Sequence, residues 1–403
     1  MDVNVLDPSF FHKDPHAAYA WLRDNDPVAW DERNQLWLLS RYADVAYASK
    51  NPKIFCSGQG VMVDVDIPIS IVTMDDPEHT LMRRIVSRGF TPKMIAPLED
   101  KIRDLARASI ANLAARGRCD FVQEVAVPIP LMVIAEMIGI PPADRDTFWQ
   151  WSDTMIAAAG QYDNHELLEQ ATNAYVAYAS YLTAIFEERR RHPREDIVSK
   201  LLVAEGEGRL SRDAELLEAD DLIQFMTLLL VAGNETTSNA IRGGLLALIQ
   251  HPEELRELRA APELLPLAVN EIIRWVSPII AFRRTATCDT EVGGRKIRAG
   301  DKVVLLYQSA NRDPAAWSDP DVFQIDRVAN EHLAFGIGTH FCLGANLARQ
   351  EIRIVLEETL WRLSDIRLDP PQPPQRVSSP LVYGLESLPS EFRADLESQA
   401  AAS

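Results

Sequence analysis

The sequence predicts a mainly α-helical chain with a minor antiparallel β portion. Apolar residues recur at helical spacing through most of its length. Strand-like segments bounded by turn residues are short, and they cluster at 281–307 and at 364–390. Because these segments are interleaved with the helices and would have to meet from distant parts of the chain, a single domain over residues 1–403 is expected.

Each predicted helix depends on its apolar periodicity and on the residues at its ends. The first opens with Asp14-Pro15, and a strand over 35–40 leads into the second. Ser211 precedes the longest candidate. The predicted helices cover 14–25, 41–50, 77–88, 93–116, 124–139, 144–158, 165–191 and about 213–247.

Composition excludes several classes of protein. The chain has 403 residues, of which 47% are hydrophobic and 25% charged, enough for a sizeable core. A net charge of −18 argues against nucleic acid or an anionic membrane as a partner. No run approaches the roughly eighteen apolar residues of a membrane span, and the first residues do not resemble a signal peptide. Four cysteines without a CxxC pair suit a reducing compartment, so a cytoplasmic location is expected. The protein is also expected to be a monomer.

The most informative segment is a glycine-rich loop over 335–344, which reads Phe-Gly-Ile-Gly-Thr-His-Phe-Cys-Leu-Gly. It presents Cys342 at the start of a predicted helix, where backbone N–H groups and the helix dipole lower the pKa of a thiol. Phe335 could keep water from the thiolate, and the glycines let a large flat group approach the backbone. A single cysteine is more often a small buried hydrophobe. In this setting it suits an axial ligand of haem iron.

A second motif lies inside the long helix, where residues 232–237 read Ala-Gly-Asn-Glu-Thr-Thr. Glycine costs about 1 kcal/mol relative to alanine in the middle of a helix. One interpretation is a helix kink in which threonine hydroxyls bond to the preceding turn. The other is an oxygen pocket, in which Ala232 and Gly233 leave room, Thr236 hydrogen-bonds dioxygen and Glu235 delivers protons.

Both motifs resemble those of the cytochromes P450, and the resemblance extends from about residue 10 to 392. It implies the P450 fold, with haem b (iron protoporphyrin IX) between the long central helix and the helix after the cysteine loop. Cys342 would be the only protein ligand of the iron, with Phe335 and Gly344 beside the haem. The helix motif matches the family pattern, with Glu235 where aspartate is commoner.

The resemblance also assigns a structural cluster. Glu271 and Arg274 stand at i, i+3, a spacing that alone indicates no more than a surface salt bridge. In P450s such an ExxR pair joins an arginine from the segment before the cysteine loop, which is Arg327 here. The three residues would hold the core around the loop.

Haem propionates require cations or strong donors. His79 and Arg83 lie one helical turn apart and match the family's HxxxR pair, Arg284 matches the arginine after ExxR, and His340 precedes the cysteine by two. Each alone would more often be a surface group. Arg283, the neighbour of Arg284, could exchange roles with it, since strand neighbours point in opposite directions.

Within the family, the stretches over 74–92, 119–122 and 384–389 look like those of bacterial sterol side-chain hydroxylases. The implied activity is hydroxylation of a hydrophobic small molecule, a steroid or sterol side chain, with dioxygen; a terpenoid or fatty acid is the alternative. A largely apolar pocket is expected, with a lid over 60–72. Its candidate lining residues, which are equally compatible with a core, are Leu228, Leu229, Ala232, Ile279, Ile280 and Val382.

Electrons would come from a ferredoxin with its NAD(P)H reductase, because the chain shows neither a flavin- nor an NAD-binding unit. Two other functions compete with this one. A peroxide-using enzyme would not need the Glu235–Thr236 pair, and a non-catalytic haem sensor or ligand carrier would not need the threonine. The candidate docking cations, which could instead be solvated helix charges, are Arg84, Arg88, Lys93, Arg349 and Arg353.

Overall fold

The structure is a computed structural model, and it describes residues 3–7, 10–11, 14–158, 164–206, 219–328, 330–372, 374–377, 379 and 381–394. This part of the chain is mainly helical, as predicted, and it forms two compact units. The first unit comprises Met1–Pro68, Arg103–Ala126 and Thr236–Ser403, and the second comprises Ile69–Ile102 and Val127–Glu235. That the chain acts as a single domain stays a prediction.

The helices are numbered in chain order. They are α1 (His16–Asn25), α2 (Tyr42–Lys50), α3 (Glu78–Val86), α4 (Pro92–Ile95), α5 (Leu98–Ala114), α6 (Pro128–Ile138), α7 (Arg145–Ala157), α8 (His165–Arg191), α9 (Ile197–Gly206), α10 (Ala219–Gln250), α11 (Pro252–Ala260), α12 (Leu265–Val276), α13 (Tyr307–Ala310) and α14 (Ala345–Arg362).

The strands form three small sheets, whose orders are β1-β2-β8-β5-β3, β4-β10-β9 and β6-β7. Among the described residues, the strand pairs are antiparallel except β2 with β8, which run parallel and so depart from the predicted antiparallel arrangement. The strands are β1 (Val28–Asp31), β2 (Leu36–Leu39), β3 (Phe55–Cys56), β4 (Arg118–Asp120), β5 (Ala281–Ala286), β6 (Thr290–Val292), β7 (Arg295–Ile297), β8 (Lys302–Leu306), β9 (Leu363–Leu368) and β10 (Pro389–Ala394).

Most predicted helices are confirmed to within a few residues, and two boundaries differ for identifiable reasons. The helix predicted over 93–116 is broken between α4 and α5, where Pro97 cannot continue the α-helical hydrogen bonding. The helix predicted over 124–139 begins at Pro128, because residues 122–126 form a π-helical turn before it. The start predicted for the longest helix, over 213–218, lies outside the described residues.

The five-stranded sheet of the first unit has apolar side chains on both faces. Val303 and Leu305 of the central strand β8 join one buried cluster, whereas Val304 and Leu306 join another. This alternation follows from the two-residue repeat of a strand. Buried apolar side chains therefore cover both faces of β8, which pairs with β5. Among the described helices, none is both long and apolar enough to cross a bilayer.

Candidate active site

The cysteine loop of the first unit has the backbone that its glycines predict. Gly336 and Gly338 take φ values of +65° and +80°, which side-chain-bearing residues rarely adopt. A Cβ atom on Gly338 would lie 2.7 Å from the carbonyl oxygen of Ser49, so only glycine fits there. The Cys342 N–H donates to the Phe335 carbonyl oxygen over 2.8 Å, which closes the loop. Cys342 is half-buried and lies three residues before Ala345, the first residue of α14.

Glu271, Arg274 and Arg327 form a buried cluster in the same unit. Arg274 donates from Nε and Nη2 to both carboxylate oxygens of Glu271, each over 2.7 Å. Arg327 Nε donates to Glu271 Oε2 over 3.1 Å. The side chains of Glu271 and Arg274 are 0% exposed. The three-residue cluster predicted from the sequence therefore exists.

The cluster also fixes the chain that leads to the loop. Arg274 Nη1 donates to the carbonyl oxygens of Asn311 and Pro320, over 2.8 and 2.9 Å. The amide of Asn330 donates to Glu271 Oε2 over 3.2 Å, a partner that the sequence did not indicate. The segment before Phe335 is thereby bonded to α12 through buried charges.

Arg284 and His340 reach the same end of the five-stranded sheet. Arg284 is buried on β5, and the next residue, Thr285, pairs with Cys56 of β3. Ser57 follows β3 directly, and its hydroxyl lies 3.2 Å from His340 Nε2. The strand pairing thus connects the strand that carries Arg284 to the loop that carries Cys342.

The Arg283 side chain contacts residues of the segment before the second unit. Its Nη2 donates to the Gln59 carbonyl oxygen over 2.7 Å and forms an ion pair with Asp66, and this bond lowers the pKa of the Asp66 carboxyl. The Arg283 N–H also donates to the Val61 carbonyl oxygen over 2.7 Å. Arg283 therefore connects β5 to Gln59 and to the first half of the predicted lid, through Val61 and Asp66. The alternative in which it exchanges roles with Arg284 is disfavoured.

In the second unit, His79 and Arg83 lie on α3 one turn apart, as predicted. His79 is 1% exposed, with Nδ1 at 4.0 Å from an Asp76 carboxylate oxygen. Burial, reinforced by the Arg83 charge, lowers the pKa of His79. A neutral imidazole in that position acts as a hydrogen-bond donor, whereas Arg83 supplies the charge.

The middle of α10 is more accessible than its flanks. Glu235 and Thr236 are half-buried and Ala232 is exposed, whereas Leu229 and Leu230 before them are buried. Leu228 is half-buried.

Gly233 differs from the expectation that it leaves room for oxygen. A Cβ atom on Gly233 would lie 2.8 Å from Cδ1 of Ile134, which belongs to α6 of the same unit. The missing side chain therefore permits close packing of α6 against α10. Any space for oxygen has to come from Ala232.

The apolar segment over 278–282, called the apolar wall from here on, pairs with the segment over 381–383 in the first unit. Ile279 and Val382 form an isolated antiparallel bridge, and the Ile280 N–H donates to the Leu381 carbonyl oxygen over 2.8 Å. The Ile280 side chain packs in the buried cluster that contains Val304, whereas Ile279 is half-buried. Ile279 is thus the better candidate for contact with a ligand.

Comparisons with known proteins identify the family. A family model described as Cytochrome P450 matches residues 145–385. The chain belongs to the cytochrome P450 family. It is a monooxygenase of this family, whose members carry a haem iron.

Three similar P450s span almost the whole chain. The steroid C26-monooxygenase of Mycolicibacterium smegmatis is 38% identical over 394 residues, 97% of this chain and 96% of the relative. The methyl-branched lipid omega-hydroxylase of Mycobacterium bovis is 39% identical over 392 residues, 92% of this chain and 90% of the relative. The crystal structure of CYP109E1 from Bacillus megaterium in complex with testosterone has a TM-score of 0.86 and 34% identity, covering 94% and 99% of the two chains.

The residues of this P450 fit the cofactor of its family. A thiol is held at a helix start by a closed, glycine-requiring loop, and Arg284 and His340 supply donors for anionic groups on the same side of the sheet. Gly344 ends the loop directly before α14.

The candidate docking cations fall into two groups. Arg349 and Arg353 of α14 are engaged within the first unit, Arg349 with Asn270 and Arg353 with Glu357. In the second unit Arg84 and Lys93 are exposed and Arg88 is half-buried. The three residues of the second unit are the stronger candidates for contact with an electron donor.

Proposed function

We propose that this P450 hydroxylates a steroid or a sterol side chain at an aliphatic carbon. The observation that carries the proposal is 38% identity over 97% of the chain to a steroid C26-monooxygenase. A structural relative crystallised with testosterone, at a TM-score of 0.86, supports it. The candidate lining from Leu228, Leu229, Ala232, Ile279 and Val382 is apolar. Burial of a rigid apolar molecule is favourable by about 25 cal/mol per Å².

A second candidate substrate is a methyl-branched lipid. It is favoured by 39% identity to a methyl-branched lipid omega-hydroxylase over 92% of the chain. A free fatty acid would need a cation for its carboxylate, and the apolar wall over 278–282 contains none. The steroid therefore remains the first choice.

Titration of the purified haem protein with cholest-4-en-3-one tests the proposal. We expect a low- to high-spin shift of the absorption spectrum, because a substrate that fills the apolar site would exclude water from it. A methyl-branched fatty acid and a small terpenoid are titrated in parallel. A clear shift with either of these and none with any steroid would overturn the steroid proposal and leave the monooxygenase assignment in place.

The haem, proposed to be haem b, supplies dioxygen activation and C–H hydroxylation when bound to Cys342. The protein's own residues then have separable tasks. Arg284, His340, His79 and Arg83 hold the propionates, and Phe335 limits the access of water to the thiolate. Thr236 holds a proton at its hydroxyl oxygen, and the Glu235 carboxyl resupplies it from solvent, which its half-buried position allows.

Electrons are proposed to arrive from an acidic ferredoxin, itself reduced by an NAD(P)H-dependent reductase, through the face that bears Arg84, Arg88 and Lys93. A basic patch on a chain of net charge −18 would steer such a partner locally. A cytoplasmic location is proposed because the four cysteines are free, and the protein is proposed to act as a monomer.

The proton relay predicts two distinct defects. Thr236→Ala should leave steroid affinity nearly unchanged and divert reducing equivalents to peroxide or water. Glu235→Gln should slow turnover roughly 10²–10⁴-fold, the usual loss for a removed acid–base group. Product, peroxide and NADH consumption are measured together with ferredoxin and its reductase.

Two residues of the same helix provide matched controls. Thr227 is half-buried and donates its hydroxyl to the Ile223 carbonyl oxygen over 2.8 Å, and Asp220 is an exposed acid. Thr227→Ala and Asp220→Asn should retain wild-type coupling and rate. Wild-type behaviour in both relay variants would instead support the helix-kink interpretation of Thr236.

A further inference from the structure

Arg349 lies in the second turn of α14, but it is not a solvated helix charge. Its Nε donates to Asn270 Oδ1 of α12 over 2.9 Å. Its guanidinium carbon lies 4.5 Å from the centroid of the Phe335 ring, within the range of a cation–π contact. The side chain is half-buried. A residue that docks a partner protein would keep its side chain exposed to solvent, whereas the Arg349 side chain is engaged by Asn270 and Phe335.

Phe335 is held on more than one side. The His332 ring is buried, with its centroid 5.5 Å from that of Phe335, and Phe341 contacts it edge-on at 6.3 Å. Burial lowers the pKa of His332 to about 3, so the imidazole is neutral and Arg349 is the charge in this group. The Phe335 carbonyl oxygen accepts the Cys342 N–H, so the backbone of Phe335 is bonded directly to that of the cysteine.

Electrostatics links Arg349 to the cysteine as well. Burial lowers the pKa of Arg349, and the Cys342 thiolate opposes that shift. A guanidinium remains protonated under all ordinary conditions. A fixed positive charge beside a thiolate ligand reduces the electron density that the sulfur donates, and it favours the more reduced state of the iron.

We propose that Arg349 is a positioning residue that holds the Phe335 ring in place at the start of the cysteine loop and raises the reduction potential of the haem iron through its charge. The proposal depends on the assignment of Cys342 as the iron ligand. It differs from a role in ferredoxin docking, because its effect is present without any partner protein.

Redox titration of the purified, substrate-free haem protein, without ferredoxin, tests the proposal. Arg349→Met should shift the midpoint potential to a more negative value, because the charge is lost. Arg349→Lys keeps the charge and loses the planar contact, so a smaller shift is expected. Asn270→Ala releases the guanidinium from its anchor and should shift the potential in the same direction as Arg349→Met.

Arg353 provides the matched control. It lies one turn further along α14, is paired with Glu357 over 3.1 Å and is half-buried. Arg353→Met removes the same charge without contact to Phe335 and should leave the potential unchanged. Equal shifts in the Arg349 and Arg353 variants would overturn the proposal. They would mean that the potential responds to the total charge of the protein and not to the position of Arg349.

The carbon monoxide spectrum separates this proposal from the assignment of the ligand. Arg349→Met should retain the red-shifted Soret band of the reduced complex, because the cysteine is unchanged. A retained band with a wild-type potential would overturn the role of Arg349 alone. If Arg349→Met does not accumulate as haem protein, Arg349→Lys and Asn270→Ala decide, and wild-type potentials in both would overturn the proposal. Absence of the band from the wild-type protein would instead contradict the thiolate assignment.

Discussion

Cys342→Ser is expected to abolish the red-shifted Soret band of the reduced carbon monoxide complex. The band would require a thiolate to hold the haem, and a serine hydroxyl is not deprotonated in this position. Cys342 stands at the start of α14, where unsatisfied N–H groups and the helix dipole stabilise an anion. The spectrum of the dithionite-reduced protein under carbon monoxide measures the loss directly.

The other cysteines are poorly placed to replace it. Burial raises the pKa of Cys119 to about 12, with Glu124 and Asp120 adding to the shift, so this thiol stays protonated. Cys56 belongs to β3, where its backbone pairs with Thr285. Cys288 is exposed, and Cys288→Ser serves as the matched control with an unchanged spectrum. A Cys342→Ser protein that still shows the band would mean that another cysteine binds the iron.

The site was predicted best where its chemistry is local in sequence. The cysteine loop, the i, i+3 pair of Glu271 and Arg274, and the i, i+4 pair of His79 and Arg83 depend on residues a few positions apart. Their spacing fixes their geometry whatever the rest of the fold does. Arg327 lies far along the chain, and the family resemblance was needed to place it beside Glu271, where the structure confirms the contact.

Contacts between distant segments were not visible from the residues alone. Gly233 looked like space for oxygen, yet its missing side chain accommodates Ile134, about a hundred residues earlier. Arg349 looked like a surface charge, yet it bonds to Asn270 and packs on Phe335. The parallel pairing of β2 with β8 likewise brings together strands separated by most of the chain. A sequence pattern reports the period and polarity of one element, whereas such partners depend on topology.

The last prediction concerns the buried cluster of Glu271, Arg274 and Arg327. Glu271→Gln should destabilise the protein by about 3–5 kcal/mol, the usual cost of leaving a buried charge without its partner. Glu271 accepts hydrogen bonds from both guanidiniums and from the Gln324 N–H, so neutralising it leaves two buried positive charges with only carbonyl acceptors. We expect little haem-containing protein to accumulate, and a lower midpoint of unfolding for whatever does.

An exposed ion pair of the same unit gives the comparison that makes this prediction specific. Arg295 and Asp26 lie 2.8 Å apart with side chains 55% and 33% exposed. Because solvent screens such a pair, Arg295→Gln should cost about 0–1 kcal/mol and leave haem content unchanged. Both variants are compared by haem content after purification and by urea unfolding.

Should Glu271→Gln match Arg295→Gln in both measurements, the cluster would not stabilise the chain that leads to the cysteine loop. The hydrogen bonds from Arg274 to the Asn311 and Pro320 carbonyl oxygens argue for the opposite outcome, because they connect the buried charges directly to that chain.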